Sequence, residues 1–392
     1  MLLALGIEST AHTFGVGIVR DDGKILANEK IVYTTKEGGI HPREAAEFHA
    51  KNFDKVLIKA LDNAGILIVK RDRTYFFDVL SFLKDKEGFE EVVVEEPFKR
   101  RRYLESNKEI YVENQKLINY DLDLESIDKK ELEKYKVNLI AVSKGPGLYP
   151  TLVNGIFISK VLALKLDVPI VGVNHCVAHV EIAKLVTGFK DPVVLYVSGA
   201  NTQVIAYEGG KYRIFGETLD MGVGNFLDAI GRLLGLGFPA GPKLEELAKK
   251  GKNLIELPYT VKGMDIQLGG IYTYVKNLLE KNPNISKEDL AFSIQEHVFA
   301  MLVEVLERAV AHLNKEEVIL TGGVAANRRL QEMVRIMAEE RGIKFKPLPF
   351  DLATDNGAMI AWTGILWYKK GYKDDIESLE PDPYWRTDQV EV

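Results

Sequence analysis

LLALGIES (2–9), TFGVGIVR (13–20) and ILANEKIVY (25–33) read as three strands joined by tight turns. Apolar residues fill the first and alternate with glycine or polar residues in the next. The series returns in the second half. VVLYVSGAN (193–201), TQVIAYE (202–208), GGK and YRIFGETLD (212–220) repeat the order apolar strand, small polar turn, alternating strand, glycine turn, strand. Identity between the copies is faint, but the shared pattern marks an internal duplication of one folding unit.

Each copy continues in the same way. VNLIAVS (137–143) and VPIVGVN (168–174) are short apolar runs of the buried-strand type, and TLVNGIFISKVLALKL (151–166) between them has helical length and spacing. A strand–helix–strand crossover pairs its strands in parallel. In the second half, 288–315 predicts a long amphipathic helix, EVILTGG (317–323) a buried strand, and NRRLQEMVRIMAEERG (327–342) a helix stopped by Gly342. The expected architecture is α/β, with two similar lobes facing a cleft: lobe I from 1–187 plus 361–392, lobe II from 188–360. Residues 67–136 break the symmetry. They are rich in charge and aromatics and read as an inserted subdomain of lobe I. Their run Lys99, Arg100, Arg101, Arg102 suits phosphate contact, although such a run is more often a solvated face.

Composition narrows the function classes. With 392 residues, 46% hydrophobic and 28% charged, the chain can bury two cores and is not disordered. A net charge of −6 argues against broad non-specific affinity for nucleic acid, so any RNA contact must be local or shared with a partner. The single cysteine, Cys176, excludes an internal disulfide. MLLALGIEST lacks a basic n-region and meets Glu8 too early for a secretory segment, and no apolar run approaches the ~18 residues of a membrane span. The expectation is a cytoplasmic protein with no membrane contact.

The sharpest chemical feature is NHCVAHVE (174–181). His175 and His179 stand one helical turn apart, directly after a parallel strand, where open α/β sheets hold their ligands. Asp355 in TDNGAMIAW (354–362) could complete the site with an oxygen ligand. Two imidazoles and an oxygen suit one divalent metal, Fe or Zn, better than Mg²⁺. The competing reading is a pair of hydrogen-bonded structural histidines. No Glu follows His175 as in HExxH, so the metalloprotease pattern is absent. Cys176 shows no independent sign of activation. His41, His49, His297 and His312 read as structural or solvated.

Three glycine-punctuated segments could meet a nucleotide. TGGVAANRRL (321–330) places Gly322 and Gly323 between a strand and a helix, where backbone N–H groups can approach a phosphate. GVGNFLDAIGRLLGLGFPAGPKLEELA (222–248) offers Asp228, Gly241 and Glu245, with acceptors suited to ribose hydroxyls. SKGPGLYPT (143–151) follows a buried strand and opens a helix near Pro150. Helix capping and tight turns account for each segment as well.

Taken in order, GIESTAHT, HPREAAE, GPGL, NHCVAH, YVSGANTQ, GVGNFLDAIGR, LGFPAGPK, GGVAANRRL and DNGAMIAWTG resemble the universal tRNA threonylcarbamoyltransferase family, long labelled O-sialoglycoprotein endopeptidases. The resemblance spans nearly everything except the insertion. AHT (11–13) and the ending YWRTDQVEV look like the archaeal and eukaryotic type, the catalytic subunit of the KEOPS complex. It implies an actin-like, Hsp70-like fold (ASKHA, ribonuclease H-like and duplicated). It implies His175, His179 and Asp355 as metal ligands, with Tyr196 a fourth ligand or a substrate contact. The stretch Tyr196, Val197, Ser198, Gly199, Ala200 would hold the carbamoyl or phosphate end, and Asp228, Gly241, Glu245, Gly322, Gly323 and Asn327 an ATP/AMP-type nucleotide. The implied reaction moves threonylcarbamoyl from its adenylate to N6 of the adenosine 3′ of the anticodon in ANN-decoding tRNA. The implied partners include a small protein kinase and a dimerising subunit.

This chain departs from the family pattern at several places. Ala200 and Ala240 stand where glycine is usual, Gln267 lies where a serine-containing segment is common, and Lys144, Tyr149 and Thr151 replace Gln, Gly and Cys or Ser. The alternatives are an ATP-dependent phosphotransferase of the same superfold, against which the histidine pair counts, and a non-catalytic nucleotide-binding scaffold. The old peptidase label finds neither HExxH nor a Ser/His/Asp order.

Overall fold

The two halves build one sheet design twice. The computed structural model describes residues 1–35, 39–64, 110–111, 117–118 and 136–391. In the first half, β1 (Leu3–Glu8), β2 (Thr13–Arg20) and β3 (Ile25–Val32) form an antiparallel meander. Helix α1 (Pro42–Asn63) follows, with proline in its first turn, where a missing N–H is harmless. Of the predicted 67–136 insertion only a two-stranded ribbon is described, β4 (Ile110–Tyr111) against β5 (Leu117–Ile118). The Lys99–Arg102 cluster lies outside the described residues.

Strand β6 (Leu139–Gly145) then pairs in parallel with β1, and α2 (Tyr149–Leu166) crosses to β7 (Ile170–Asn174), parallel to β6. The sheet order is β3-β2-β1-β6-β7. In the second half, β8 (Val193–Val197), β9 (Thr202–Glu208), β10 (Lys211–Glu217), β13 (Glu317–Thr321) and β14 (Lys344–Pro347) give β10-β9-β8-β13-β14, with the same pattern of antiparallel and parallel neighbours. The small ribbon β11 (Val261–Lys262) and β12 (Asp265–Ile266) lies outside this sheet. Equal order and equal directions in two sheets are what a duplicated unit requires.

Helices divide the molecule into layers. Helix α3 (His175–Thr187) leaves β7. Helices α4 (Val223–Leu234), α5 (Gly241–Ala248), α6 (Gly269–Lys281), α7 (Lys287–Leu313) and α8 (Arg328–Arg341) belong to the second half, the short α9 (Phe350–Ala353) packs between α3 and the turn at 323–326, and α10 (Gly357–Lys369) returns to the first. One core joins the first sheet to α1 and α2, and another joins the second sheet to the α4–α8 group. The third core contains Ala141 and Val173 from one sheet, Val194, Tyr196 and Ile319 from the other, and apolar residues of α3 and α10 between them. Helices α3 and α10 are therefore the shared central layer, which is why their faces are almost wholly apolar. Among the described residues no helix is long and apolar enough to cross a membrane.

Close backbone packing sets the height of α10. A Cβ on Gly17 would overlap the backbone of Gly357 and Ala358, and one on Gly6 would overlap Ala361. Only glycine lets the helix descend onto β1 and β2 at this depth. The predicted strand starts at 137 and 168 are each two residues early. Asn138 instead accepts the Leu3 N–H at 2.9 Å through its side chain, and Pro169 has no N–H to give a ladder. The predicted stop of α8 at Gly342 is observed, with φ 67°.

Candidate metal centre between the lobes

Strand β7 ends in Asn174, whose side chain accepts the Val177 N–H at 3.1 Å and caps α3. The cap starts the helix at His175, so His175 and His179 fall on one face, with ring centroids 4.8 Å apart and edge to face. Asp355 comes from the turn just before the other central helix. Asn356 caps α10 by accepting the Met359 N–H at 2.9 Å, and Lys30 holds the preceding turn through Thr354 Oγ1 (2.6 Å) and the Asp355 carbonyl (3.1 Å). Asp355 Oδ1 then lies 3.2 Å from His179 Nε2 and 3.6 Å from His175 Nε2. Among the described residues these three form a group whose donor atoms all lie within 4.8 Å of one another, close enough to share a metal ion.

Tyr196 on β8 completes the surround. Its ring centroid is 4.8 Å from that of His179, and its hydroxyl is buried without a hydrogen-bond partner. An unmatched buried hydroxyl is costly, which makes a ligand there favourable. Burial drives the phenol's pKa well above its ordinary value.

Sequence reasoning missed Glu8 as a site residue. Its carboxylate, with no exposure, ends the apolar β1 and accepts from Thr10 N (2.7 Å) and Thr10 Oγ1 (2.5 Å) through one oxygen, while the other lies 3.0 Å from His175 Nδ1. A carboxylate on the far nitrogen of a metal-binding histidine fixes its orientation and raises its basicity. The signal was present in GIES: a charged residue closing an otherwise apolar buried strand needs a buried partner.

Charges in the cluster follow from these contacts. Burial would lower the pKa of His175, but the Glu8 carboxylate and then Asp355 outweigh it and lift the imidazole to about 9. Burial lowers His179, against the pull of Asp355. Asp355 is held far below the usual carboxylate range: burial opposes this, and the His179 hydrogen bond and the two histidine charges prevail. Cys176 between the two histidines is buried and its thiol pushed up to about 12 by burial, so it is no nucleophile.

The glycine-rich segments meet on the second lobe. The turn Ser198–Asn201 closes on itself, Asn201 N donating to Ser198 Oγ at 3.1 Å, and the Ser198 and Gly199 carbonyls accept from Gly224 and Asn225 at the start of α4. Gly322 has φ 97° and sits against the Val197 carbonyl, whereas a Cβ on Gly323 or Gly241 would meet nothing within 4 Å. Glycine at those two places leaves open space. Asp228 Oδ1 accepts the Ala240 N–H at 2.7 Å, and burial raises the pKa of its carboxyl. Ala240 turns its methyl into the core, where Gly231 makes room for it. Ala200 is exposed on its turn. Glu245 accepts the Arg328 N–H at 3.0 Å, and Asn327 caps α8 through its oxygen while donating to Gln295 at 3.0 Å. Glu245 and Asn327 thus brace the glycine-rich segments against one another. His49 is buried against Ser9 and Phe14, and His297 binds the Pro258 carbonyl, both away from the triad.

Fold and site define a duplicated two-lobe α/β protein of the actin-like type, with a His/His/Asp cluster in the layer between its lobes. Full-length HypF in its phosphate- and nucleotide-bound form shares the fold, with a TM-score of 0.53 and 12% identity over 94% of this chain and 55% of that one. Residues 124–362 match TsaD, the tRNA N6-adenosine threonylcarbamoyltransferase family. The enzyme of that name from Nanoarchaeum equitans (strain Kin4-M) is 48% identical over 97% of this chain and 98% of its own. A probable bifunctional tRNA threonylcarbamoyladenosine biosynthesis protein of Methanocaldococcus jannaschii is 42% identical over all of this chain and 60% of its own. The chain belongs to the tRNA N6-adenosine threonylcarbamoyltransferase family and is a transferase acting in tRNA modification.

Proposed function

We propose that this enzyme moves the threonylcarbamoyl group from threonylcarbamoyl-AMP to N6 of the adenosine 3′ of the anticodon in ANN-decoding tRNAs. It would do so in the cytoplasm, with the help of one divalent metal, Fe or Zn, as the catalytic subunit of a KEOPS-type complex with a small protein kinase and a dimerising subunit. The observation that carries the proposal is the convergence of His175, His179 and Asp355 beside the unpartnered Tyr196 hydroxyl. Two imidazoles, a carboxylate and a buried hydroxyl fit Fe or Zn, and Glu8 gives His175 the outer carboxylate such ligands use.

His175, His179, Asp355 and Tyr196 would hold the ion. When bound, it supplies Lewis acidity to polarise a carbonyl and stabilise negative charge on its oxygen. The exocyclic amine of adenine is a weak nucleophile because its lone pair is delocalised into the ring, so the acyl carbon must be the activated partner. The chain's own residues do the positioning. Tyr196 to Ala200, the strand end at Gly322 and the open space at Gly323 would hold the acyl-phosphate end, with Asp228 and the space at Gly241 for the nucleoside. Transfer forms the N6–carbon bond and breaks the bond from that carbon to the AMP oxygen, and the amine loses a proton. The target base lies in a single-stranded loop, where splaying it out costs only about a few kcal/mol.

Reconstitution with partner subunits, ANN-decoding tRNA and threonylcarbamoyl-AMP tests the proposal. Modified adenosine and released AMP in equal amounts are expected. Nucleotide binding with unmodified N6 at every enzyme concentration would instead identify a scaffold.

A further inference from the structure

Two exposed aromatic side chains lie on loops that are hydrogen-bonded to the turn beside this site. Tyr149 opens α2 and is 58% exposed, and Tyr384 in the C-terminal segment is 87% exposed. Their loops are tied together: Gly147 N donates to the Pro383 carbonyl at 3.2 Å and Asp382 N to the Lys144 carbonyl at 2.8 Å. The same loop reaches the triad. Leu148 N donates to the Thr10 carbonyl at 2.7 Å, and Thr10 Oγ1 is 3.3 Å from His175 Nδ1. Tyr259, with similar exposure, is bound through its hydroxyl to Glu304, whereas Tyr149 and Tyr384 have no hydroxyl partner among the described residues.

We propose that Tyr149 and Tyr384 are stacking platforms for the bases flanking the target adenosine, and so set how the RNA loop is presented to the cleft. Every base has a π-face, and an exposed phenol on a hydrogen-bonded loop offers a pre-placed partner at little entropic cost. Acidic surroundings repel phosphates, so affinity for RNA at this rim has to come from its bases and outweigh that repulsion. The segment next to Tyr384 contains Asp375, Glu377, Glu380 and Asp382, and the whole chain carries −6. The grip on the RNA at this rim is therefore aromatic.

The inference rests on the proposed tRNA reaction, and its test separates the two. In the reconstituted complex, Tyr149→Ala and Tyr384→Ala should each raise the KM for tRNA about tenfold, leaving kcat and the KM for the adenylate unchanged. Tyr149→Phe and Tyr384→Trp should restore it, and the loss should persist at high salt, unlike a loss of phosphate contacts. An anticodon stem-loop carrying 2-aminopurine beside the target adenosine should be quenched by the unaltered complex and not by the double alanine variant. Modification with an unchanged tRNA KM in that variant overturns the stacking role alone. Failure of the double variant to assemble with its partner subunits, with tRNA KM unchanged where it does assemble, makes the rim a protein-docking surface and also overturns it. No modification by the unaltered complex removes the functional reading and this one together.

Discussion

The turn after β1 and the turn after β8 occupy the same place in the two copies of the folding unit, yet they do different work. The first, Ser9–His12, gives its polar groups to the cleft and to lobe I: Glu8 and Thr10 face His175, and Ser9 bonds the Thr151 carbonyl and the buried His49. The second, Ser198–Asn201, spends its groups on itself and on the start of α4, and leaves its outer face to glycine and alanine. Duplication supplied two equivalent strand ends. Divergence placed ionisable chemistry at one and a backbone cradle at the other.

Changes on the two sides should therefore fail differently. The largest effect is expected at the histidines: His179→Ala should lower transfer by about a thousandfold or more while nucleotide binding, proposed for the second turn, stays measurable by calorimetry. Equal loss of both would erase the division of labour.

Acid should loosen the first turn and spare the second. Burial lowers the pKa of His49 to about 4, and Ser9 Oγ, which donates to the Thr151 carbonyl, accepts from its Nδ1. The unfolded chain takes up this proton near pH 6.5 and the folded chain only near 4, so stability present at pH 7 is lost as pH falls through that window. The loss is about 3 kcal/mol, and urea unfolding at pH 7 and pH 4 should show it in the wild type and not in His49→Gln.

Glu8→Gln keeps the shape of the first turn and removes its charge. A 10- to 100-fold loss in metal affinity is expected, measured by competition with a chelator. Ser198→Ala in the second turn should cost only about 1 kcal/mol of stability and leave metal affinity unchanged. A larger effect of Ser198→Ala than of Glu8→Gln on metal affinity would reverse the comparison.

The fold was legible because both copies repeat a buried strand, a small turn and an alternating strand, a pattern that survives even where identity does not. The triad was legible for a similar reason: His175 and His179 share a helix face, and Asp355 sits before a helix whose glycine spacing fits the first sheet. Glu8 was not, since its role depends on β1 and β7 ending side by side across β6, a contact over 167 residues of chain. Capping was an open alternative for the segment of Asn327, which caps α8, but that one Glu245 oxygen accepts the Arg328 N–H depends on helices 83 residues apart. The consequence of Ala240 was hidden too, because its methyl is absorbed by Gly231 in another helix.

Anomalous scattering from crystals grown without added metal bears most directly on the whole account. One strong peak enclosed by His175, His179 and Asp355, lost in the His179→Ala protein, is the predicted result. A map with no peak between those side chains, in protein that still modifies tRNA at full rate, would contradict it.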